Sequence, residues 1–600
     1  MFEALRVDAL AALGDAPIDK CDFLIIGGGP AGLTVARALA EAGRRTLVLE
    51  SGGLEESVEA EALNEMVCDD AIWSPDQVDK RKRFHAPQMA MWSHDRQGYG
   101  LRCRALGGST VAWAGKSAAF SDWDFAPRAW VPDSGWPVSA ADLKPYLDKA
   151  AETLNLGPNC YDSRLWSQLS RPQPHPHPDP AVLGSFFWQF ARSSINPIDV
   201  YRAGAEFLKA APKGCRVLTG ATVLELLTDE SGARAVGAVV ADAAGRRRRV
   251  EARTIVLAAS AIENPRILLN SRSRHADGLG NERGIVGRYL LDHPSARVAS
   301  FPPEAIAPMA WLYGFYGLKG PKGVHMFMHG LTPSAEVQAA QGLLNCAAYT
   351  MGDRAPDDPW SAVKRIATRE SQNLLYDAQA ILKAPATIAK GMARLAFQSP
   401  WFPRAWSRFA VNQVLRFRPD MAVEEYLTRG VPHKLVGLSF EAICEQAPDR
   451  NNRIHLSDKL DPFGMPLPTA HWRVGDMEIR TLKHLGRLLQ QEFMKAGLPA
   501  LVMEDWLADD GGGHAGVIDM GHTAGTTRMA SDSSRGVVDA DCKVHGVEGC
   551  MSQGLRFFRP VVTPTHTDDR GVRAPSGSAS GDRAPLGFQR GLLQRRSGAC

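Results

Sequence analysis

Glycines spaced for phosphate binding stand near the start of the chain, where Gly27, Gly29 and Gly32 form a GxGxxG pattern. Glu50 follows at the end of the next apolar run, within the stretch from Cys21 to Gly53. In such a pattern the first glycine permits a tight turn, the second lets a pyrophosphate approach the backbone, and the third lets helix and strand pack closely. Unpaired N–H groups at the helix start attract phosphates, and the Glu50 carboxylate can accept hydrogen bonds from ribose hydroxyls. These residues predict a dinucleotide-binding βαβ unit.

The 600 residues have the composition of an ordinary globular protein, with 44% hydrophobic and 22% charged residues. A net charge of +3 gives no global reason to expect nucleic acid as a partner. The ten cysteines are scattered without a CxxC pair, which argues against a disulfide framework and against a metal site. No apolar run approaches the roughly 18 residues that span a membrane, and the N-terminus does not resemble a signal peptide. We therefore expect a cytoplasmic protein without a transmembrane segment.

Four blocks of sequence have the texture of one nucleotide-binding domain. They cover residues 21–53, 106–110, 216–271 and 521–549. In the third block, Thr254 to Ala258 predicts a buried parallel strand because it is apolar on both faces, and Arg246 to Arg249 predicts a basic turn before it. A helix is expected from Ala259 onward.

The residues between these blocks differ from them in pattern. Residues 291–505 alternate β-like and helical stretches, which predicts an inserted domain that covers the substrate. Within it, residues 360–420 are strongly basic and carry several Trp and Phe side chains. A basic amphipathic helix could lie on a membrane surface or clasp a partner. The favoured interpretation is a solvated helical insertion whose aromatic side chains pack inward.

Taken in order, the motifs resemble the glucose-methanol-choline (GMC) family of flavoprotein oxidoreductases. The matching pieces are GGGPAGLTVARAL with LVLESGG, RALGGSTVAWAG, TIVLAASAIENPRILLNS, GIVGRYLLDHP, and HTAGTTRM with GVVDADCKVHGVEG. They span residues 22 to 549, nearly the whole chain. The resemblance implies an α/β fold: a Rossmann-like FAD-binding domain with a mixed or parallel sheet, plus an inserted α+β substrate-binding domain.

The resemblance also implies domain boundaries. The FAD-binding domain mainly covers residues 1–290 and is discontinuous, with a lid or connecting region at about 54–100 and 140–205. The substrate-binding domain covers 291–505, and residues 506–549 return to the FAD-binding domain with the catalytic motif.

The implied cofactor is FAD. Its expected contacts are Gly27, Gly29, Gly32 and Glu50 at the ADP half, Gly108, Ser109 and Thr110 along the pyrophosphate and flavin, Val223 at the adenine, and Ala259 nearby. We also expect the backbone angles at Gly29 to disfavour a β-branched residue. Some family members attach flavin through a histidine whose position is Ala112 here, so the FAD is expected to be non-covalent.

The implied chemistry is oxidation of the CH–OH group of an alcohol, sugar or polyol. A base takes the hydroxyl proton while hydride leaves the carbon for flavin N5. In the family the histidine of an HxxGT motif is this base, and here it is His522. His293, in a Asp-His-Pro motif, is expected to be structural, and neither His514 nor His545 has a claim beyond proximity. The electron acceptor, whether oxygen, a quinone or a redox protein, is left open.

Two alternatives remain beside this hypothesis. A NAD(P)-linked enzyme or a non-catalytic nucleotide-binding protein could carry the same βαβ unit. It would have no need of the GGST and TIVLAASA segments, and flavin absorbance would distinguish it. The second alternative is a GMC enzyme inactivated by loss of its C-terminal segment.

Residues 550–600 break the resemblance. They are rich in Arg, Gly, Pro and Ser without helical periodicity, which predicts a disordered tail. A shifted reading frame offers an explanation. If the last base of each codon from Cys550 to Thr565 is read together with the first two bases of the following codon, the genetic code permits the peptide YVAGSSVFPTGGHANP, which is the continuation expected in the family. From His566 the remaining frame permits TLTIVAFALRLA, the expected closing helix. We hypothesise two single-base deletions, which remove an Asn that the resemblance pairs with His522.

We predict that the chain as printed folds poorly or binds FAD weakly, with turnover near background. The lost strand and helix would bury apolar surface at about 25 cal/mol per Å², an amount comparable with the net stability of a typical domain. The frame-restored chain is expected to be yellow, protease-resistant and active. Flavin content, limited proteolysis and turnover compare the two chains. Equal values in both, or a resequenced locus with an unbroken frame, would contradict the hypothesis.

Overall fold

The computed structural model describes residues 4–69, 72–85, 89, 91–169, 171–195, 199–320, 323–367, 371–398, 433–508 and 516–552. The strands are β1 Arg6–Ala9, β2 Cys21–Ile26, β3 Thr46–Leu49, β4 Val67–Cys68, β5 Lys116–Ser117, β6 Leu183–Phe190, β7 Cys215–Thr219, β8 Thr222–Thr228, β9 Ala235–Ala241, β10 Arg247–Leu257, β11 Ser295–Ser300, β12 Phe315–Gly320, β13 Gly323–Pro333, β14 Cys346–Arg354, β15 Leu435–Cys444, β16 Arg453–Leu460, β17 Pro466–His471, β18 Val502–Met503 and β19 Cys550–Ser552. The helices are α1 Pro30–Glu41, α2 Val58–Ala62, α3 Pro75–His85, α4 Asp122–Phe125, α5 Ala140–Thr153, α6 Ala203–Ala210, α7 Ser260–Asn270, α8 Ile306–Leu312, α9 Ala335–Gln341, α10 Pro359–Ala367, α11 Leu374–Leu382, α12 Pro385–Gln398 and α13 Asp476–Lys495.

The first sheet is built around the predicted βαβ unit. Its parallel part has the order β1-β7-β3-β2-β10. Helix α1 crosses from β2 to β3 and buries Leu33 and Ala36 against the sheet. Because parallel strands run the same way, the C-terminal ends of β2, β3 and β10 meet at one edge, where ligands bind in open α/β sheets.

Strand β10 is longer than the sequence predicts and joins two parts of this sheet. Its first half, Arg247–Glu251, pairs antiparallel with β9, which forms a hairpin with β8. Its second half pairs in parallel with β2 and, from Ile255 to Leu257, with β19. The predicted parallel strand is therefore present. The prediction of a turn is wrong for Arg247–Arg249, because the ladder to β9 continues through these residues.

The second sheet is antiparallel, in the order β18-β11-β15-β14-β13-β6-β5, with β12 beside β13. Helix α13 packs on it and buries a leucine-rich face that includes Leu482, Leu485 and Phe493. Strands β5 and β6 belong to this sheet although they precede residue 291 in the chain. The sheet therefore draws on the predicted connecting region at 140–205 as well as on 291–505.

A small third sheet and a group of helices complete the described chain. Strand β4, from the connecting region at 54–100, pairs with β17, and β17 pairs with β16. Helices α10, α11 and α12 occupy the described part of the basic insertion. Trp360 is buried there and donates to the carbonyl of Thr387 at 3.3 Å, so this aromatic side chain packs inward. The aromatic residues from 401 to 409 lie outside the described residues.

The predicted fold class is confirmed by the two large sheets and their helices. Residues 550–552 form β19, so the expectation of irregular chain from residue 550 is wrong for these three; residues 553–600 lie outside the described part. No helix that the structure describes is both long enough and apolar enough to cross a membrane.

Candidate active site

The predicted glycine turn lies between β2 and α1, at the edge where the parallel strands end. Gly27 has a φ of +106°, in the left-handed region that glycine favours, and an added Cβ would lie 2.4 Å from the carbonyl oxygen of Ala258. A Cβ on Gly32 would lie 2.0 Å from the carbonyl oxygen of Gly27. Both glycines are therefore required by the packing of the protein itself.

Gly29 differs, because nothing in the described protein needs it to be glycine. Its φ of −76° and ψ of 179° are extended backbone that any residue adopts, so the expected conformational barrier to a β-branched residue is wrong. An added Cβ would meet no atom within 4 Å. Helix α1 starts at Pro30 without a side-chain cap, which leaves N–H groups of its first turn for an anion. The open space at Gly29 thus fits a pyrophosphate lying across the start of α1.

Glu50 is buried at the end of β3, beside the glycine turn. Its two carboxylate oxygens accept hydrogen bonds from the backbone N–H groups of Gly28 and Gly52, each at 2.8 Å. Burial raises the pKa of Glu50, and the two N–H donors oppose that rise. Each oxygen retains a second lone pair, so the carboxylate can still accept from a ribose hydroxyl.

The second glycine turn, Gly107 to Thr110, is fastened to the first. The N–H of Gly107 donates to the carbonyl of Gly28 at 2.7 Å, and a Cβ on Gly108 would lie 3.0 Å from Cα of Gly29. The Thr110 hydroxyl donates to the carbonyl of Gly107 at 2.6 Å and accepts from the N–H of Ala203. The side chain of Thr110 is therefore used within the protein, and its carbonyl accepts from the guanidinium of Arg202. Ser109 is exposed.

The remaining predicted cofactor contacts also lie near this edge. Ala259 caps the start of α7, and its Cα would lie 2.8 Å from a Cβ on Gly27. Val223 is buried in β8, two residues after Ala221, whose N–H donates to the carbonyl of Glu50 at 2.9 Å. The structure thus brings the predicted cofactor residues to one side of the first sheet.

His522 lies in a loop that is held between two short backbone pairings. Ser295 and Ile518 exchange two hydrogen bonds of 3.0 Å, and Leu291 and Ala524 exchange two of 2.9 Å. The segment around His293 therefore runs antiparallel to the His522 loop. The two imidazole rings lie edge to face with centroids 5.5 Å apart. His293, expected to be structural, thus lies in the same cluster as His522.

A buried carboxylate three residues earlier anchors the His522 loop. Asp519 accepts from Nε of Arg81 at 2.5 Å and from the Gly100 N–H at 3.2 Å. Both members of the Arg81–Asp519 pair are wholly buried. Arg81 holds the pKa of Asp519 well below its usual range. His85, one turn after Arg81 on α3, lies 3.7 Å from Asp519.

A second carboxylate, Asp292, closes the loop from the other side. Its Oδ1 accepts from the N–H groups of His293 at 2.7 Å and Met520 at 3.0 Å. Burial, together with the nearby charge of Asp519, raises the pKa of Asp292. Asp292 therefore tends to hold a proton while Asp519 carries the charge.

His522 is surrounded by protein, although part of its surface remains accessible. Burial is the main cause that lowers the pKa of His522 to about 3, because it disfavours the charged imidazolium. Burial also lowers the pKa of His293 to about 4. Both imidazoles are consequently neutral near pH 7, so each can accept a proton.

Several buried polar atoms in this region have no hydrogen-bond partner among the described residues. They include the Tyr99 hydroxyl, the Lys116 amine, and Nδ1 of His293 and of His522. Buried polar groups in folded proteins are nearly always satisfied by protein or by a bound molecule. The cluster therefore fits a polar substrate beside the flavin end of a dinucleotide.

Sequence reasoning found His522 but missed its supports. Asp292 stands beside His293 in the Asp-His-Pro motif, which was a usable signal, whereas Asp519 lies three residues before His522 and outside the quoted motifs. Arg81 gave none, because it is far from His522 in sequence. The His545 ring hydrogen-bonds the carbonyl of Ala530 through Nε2, at 3.0 Å, and His514 lies outside the described residues.

Comparisons with known proteins agree with these blocks. The GMC oxidoreductase N- and C-terminal profiles match residues 202–295 and 448–551, and an FAD binding domain profile matches residues 22–131. A 6'''-hydroxyparomomycin C oxidase of Streptomyces lividus is 28% identical over 94% of this chain and 92% of its own.

A 2-methyl-1,2-propanediol dehydrogenase of Mycolicibacterium austroafricanum is 25% identical over 52% of this chain. That alignment covers 61% of the dehydrogenase, less than two thirds of its length. Among solved structures, a pyridoxine 4-oxidase from Mesorbium loti superposes with a TM-score of 0.47 and 16% identity, over 89% of this chain and 93% of that one.

We predict that Gly29→Val, made in the frame-restored chain, keeps its fold but does not retain FAD. The backbone accepts valine and no protein atom lies near its Cβ, but the side chain would fill the space that fits a pyrophosphate. Flavin absorbance per protein and a thermal melt measure the two effects.

Two controls bracket this variant. Gly32→Val should lose the fold, since its Cβ would lie 2.0 Å from a carbonyl oxygen, whereas Gly184→Val should keep both fold and flavin, since its nearest atom would lie at 3.7 Å. A fully flavinylated Gly29→Val protein would overturn the assignment.

Proposed function

Because this chain belongs to the GMC oxidoreductase family, we propose that it oxidises the CH–OH group of an alcohol, sugar or polyol with FAD as its cofactor and His522 as the base. The observation that carries the proposal is the His522 cluster. A neutral imidazole stands among unsatisfied buried polar atoms. Its loop is joined to the start of α7, just after Ala259, by a hydrogen bond of 2.6 Å from the Thr526 hydroxyl to the carbonyl of Ala261. Such an imidazole can take a hydroxyl proton at neutral pH.

The described residues fit FAD, on the grounds of the open space at Gly29 and the uncapped start of α1. FAD when bound supplies an acceptor for the hydride that leaves the alcohol carbon. The residues that would hold it are Gly27, Gly29, Gly32 and Glu50 at the ADP half, Gly108, Ser109 and Thr110 at the second turn, and Val223 and Ala259 beside them.

The work of His522 is to receive the substrate's hydroxyl proton. Since burial lowers its pKa, the free enzyme holds the ring ready as an acceptor throughout the physiological range. The same burial disfavours the imidazolium that forms, and the charge of Asp519 offsets part of this cost. The two backbone pairings around the loop hold the ring in place, which is the positioning that general base catalysis requires.

The names of the relatives support an alcohol substrate. One is a dehydrogenase of a propanediol and another is an oxidase of a hydroxyparomomycin. A NAD(P)-linked or non-catalytic nucleotide-binding protein is disfavoured by the matches to both GMC profiles. A panel of sugars, polyols and simple alcohols tests the proposal, with oxygen and an artificial dye as acceptors. The panel is run on the printed chain and on the frame-restored chain. If neither chain oxidises any compound of the panel, the proposal is wrong.

We expect the FAD to be non-covalent. Ala112, at the position of the linking histidine in some family members, has no group that could bond to the flavin. Denaturation followed by filtration should release all the yellow colour into the filtrate. Colour that stays with the polypeptide would contradict this.

We predict that His522→Ala, made in the frame-restored chain, keeps its flavin while turnover falls by roughly 10²–10⁴-fold, the usual contribution of a positioned acid–base group. His545→Ala in the same chain is the control, because this ring hydrogen-bonds a backbone carbonyl away from the His522 cluster, and its turnover should stay near that of the frame-restored parent. Steady-state rates and flavin absorbance are measured together. Loss of flavin along with activity in His522→Ala would show a structural histidine instead.

A further inference from the structure

Lys116 is a wholly buried lysine that the proposed reaction does not use. It lies on β5, a few residues after the second glycine turn, with none of its surface exposed. Its amine has no hydrogen-bond acceptor among the described residues. A charged lysine carries three N–H donors, so its burial without any acceptor leaves these donors without hydrogen bonds, at a high cost in free energy.

Two aromatic rings contact the amine but offer it no conventional hydrogen-bond acceptor. Nζ lies 4.0 Å from the ring centroid of Trp188 and 4.2 Å from that of Tyr349. Cation–π contacts of this kind favour a positive charge. No carboxylate supports it, since burial alone shifts the pKa of Lys116, well below its usual value. The two rings favour the charged ammonium, burial disfavours it, and no carboxylate of the described residues offsets the cost of burial.

Lys116 belongs to the same region as His522. Trp188 and Tyr349, the two rings beside the Lys116 amine, pack in one hydrophobic cluster with Ile518 and Met520 of the His522 loop. Tyr349 lies beside Ser295, and Ser295 exchanges two backbone hydrogen bonds with Ile518 at the start of the His522 loop. A molecule that places its hydroxyl at His522 is therefore within the electrostatic reach of the lysine.

We propose that Lys116 binds a carboxylate of the substrate, so that the alcohol oxidised here is a hydroxy acid, such as a sugar acid. This inference rests on the proposed function, because it concerns a second contact with the same substrate. A carboxylate supplies both the missing charge and several acceptor lone pairs, and pairs between ammonium and carboxylate are among the stronger hydrogen bonds. Trp188 and Tyr349 complete the subsite by holding the ammonium between them.

A neutral hydroxyl fits the subsite less well. It could accept one hydrogen bond, but it would leave the charge of the ammonium unbalanced in a buried position. The lysine would then be more stable as an uncharged amine, and the two aromatic faces would have no cation to hold. The combination of both rings with a missing counter-charge is what favours a carboxylate.

The test compares substrates that differ mainly in a carboxylate. Glycerate is compared with glycerol, and gluconate with sorbitol, using dye reduction by the frame-restored chain as parent and by Lys116→Met made in that chain. We expect the parent to prefer each acid. In the variant kcat/KM for the acids should fall about 10- to 100-fold, the range for a hydrogen bond to a charged group, while the neutral alcohols change little.

Lys80→Met is the matched control. Lys80 is also largely buried, but its amine donates to the carbonyl of Gly516 at 2.6 Å and lies 3.9 Å from Glu441. Its replacement should change acids and neutral alcohols by the same factor. Flavin content and thermal melts of all three proteins check folding, and Lys116→Met should melt no lower than the parent, since it removes an unpaired buried amine.

A binding arm separates this proposal from the function on which it rests. Calorimetry measures the affinity of butyrate and of its neutral analogue butyramide for the parent and for Lys116→Met. Butyrate binding that needs Lys116, without oxidation of any alcohol, would support the subsite while the proposed function fails. Oxidation without preference for acids, an equal loss for acids and alcohols, or loss of flavin in Lys116→Met would each overturn the carboxylate subsite.

Discussion

The buried ion pair between Asp519 and Arg81 is the interaction on which the candidate site depends. A carboxylate with no exposed surface keeps its charge only because a guanidinium lies against it, and removing one partner of such a pair typically costs about 3–5 kcal/mol. Arg81 comes from α3 in the connecting region, whereas Asp519 belongs to the segment that carries His522. The pair therefore fixes the His522 loop to a part of the chain that is remote in sequence.

The same charge sets the state of its neighbour Asp292. Two carboxylates in one buried region are not both ionised at low cost, so the one without a cation is protonated more readily. Asp292 then holds two backbone segments together, because its Oδ1 accepts hydrogen bonds from the N–H groups of His293 and Met520. The imidazoles of His293 and His522 remain neutral between these anchors. The guanidinium of Arg81 thus favours the charged form of Asp519, and that charge adds to burial in raising the pKa of Asp292.

Local sequence patterns were sufficient to predict the nucleotide-binding half of the protein. Gly27 and Gly32 were predictable because a turn and a close helix–strand contact are short-range requirements, written within a few residues. The backbone argument at Gly29 was wrong, since its angles are ordinary and only the open space explains it. The prediction of a turn at Arg247–Arg249 was wrong because these residues pair with β9, and the basic composition of the segment does not reveal that pairing.

The active-site half was only partly predictable. His522 was found through a motif, but the partners of its loop come from distant segments whose approach depends on the tertiary fold. Nothing in the sequence near Arg81 or Lys116 marks either residue, because the residue type alone does not show whether an Arg or Lys side chain is buried or exposed to solvent. Their roles follow from burial and neighbours, which exist only after the two sheets have formed. The inward packing of Trp360 was expected, whereas the membership of β5 and β6 in the second sheet was not.

The position of β19 bears on how the chain is completed during biosynthesis. Residues 550–552 add to β10 beside the region that pairs with β2, in a sheet whose other strands all precede residue 258. As the polypeptide leaves the ribosome, that flank of β10 stays unpaired until almost everything else has been translated. An unpaired strand flank is a template for wrong association with other chains. Protection of the nascent protein by a chaperone would matter most in that interval.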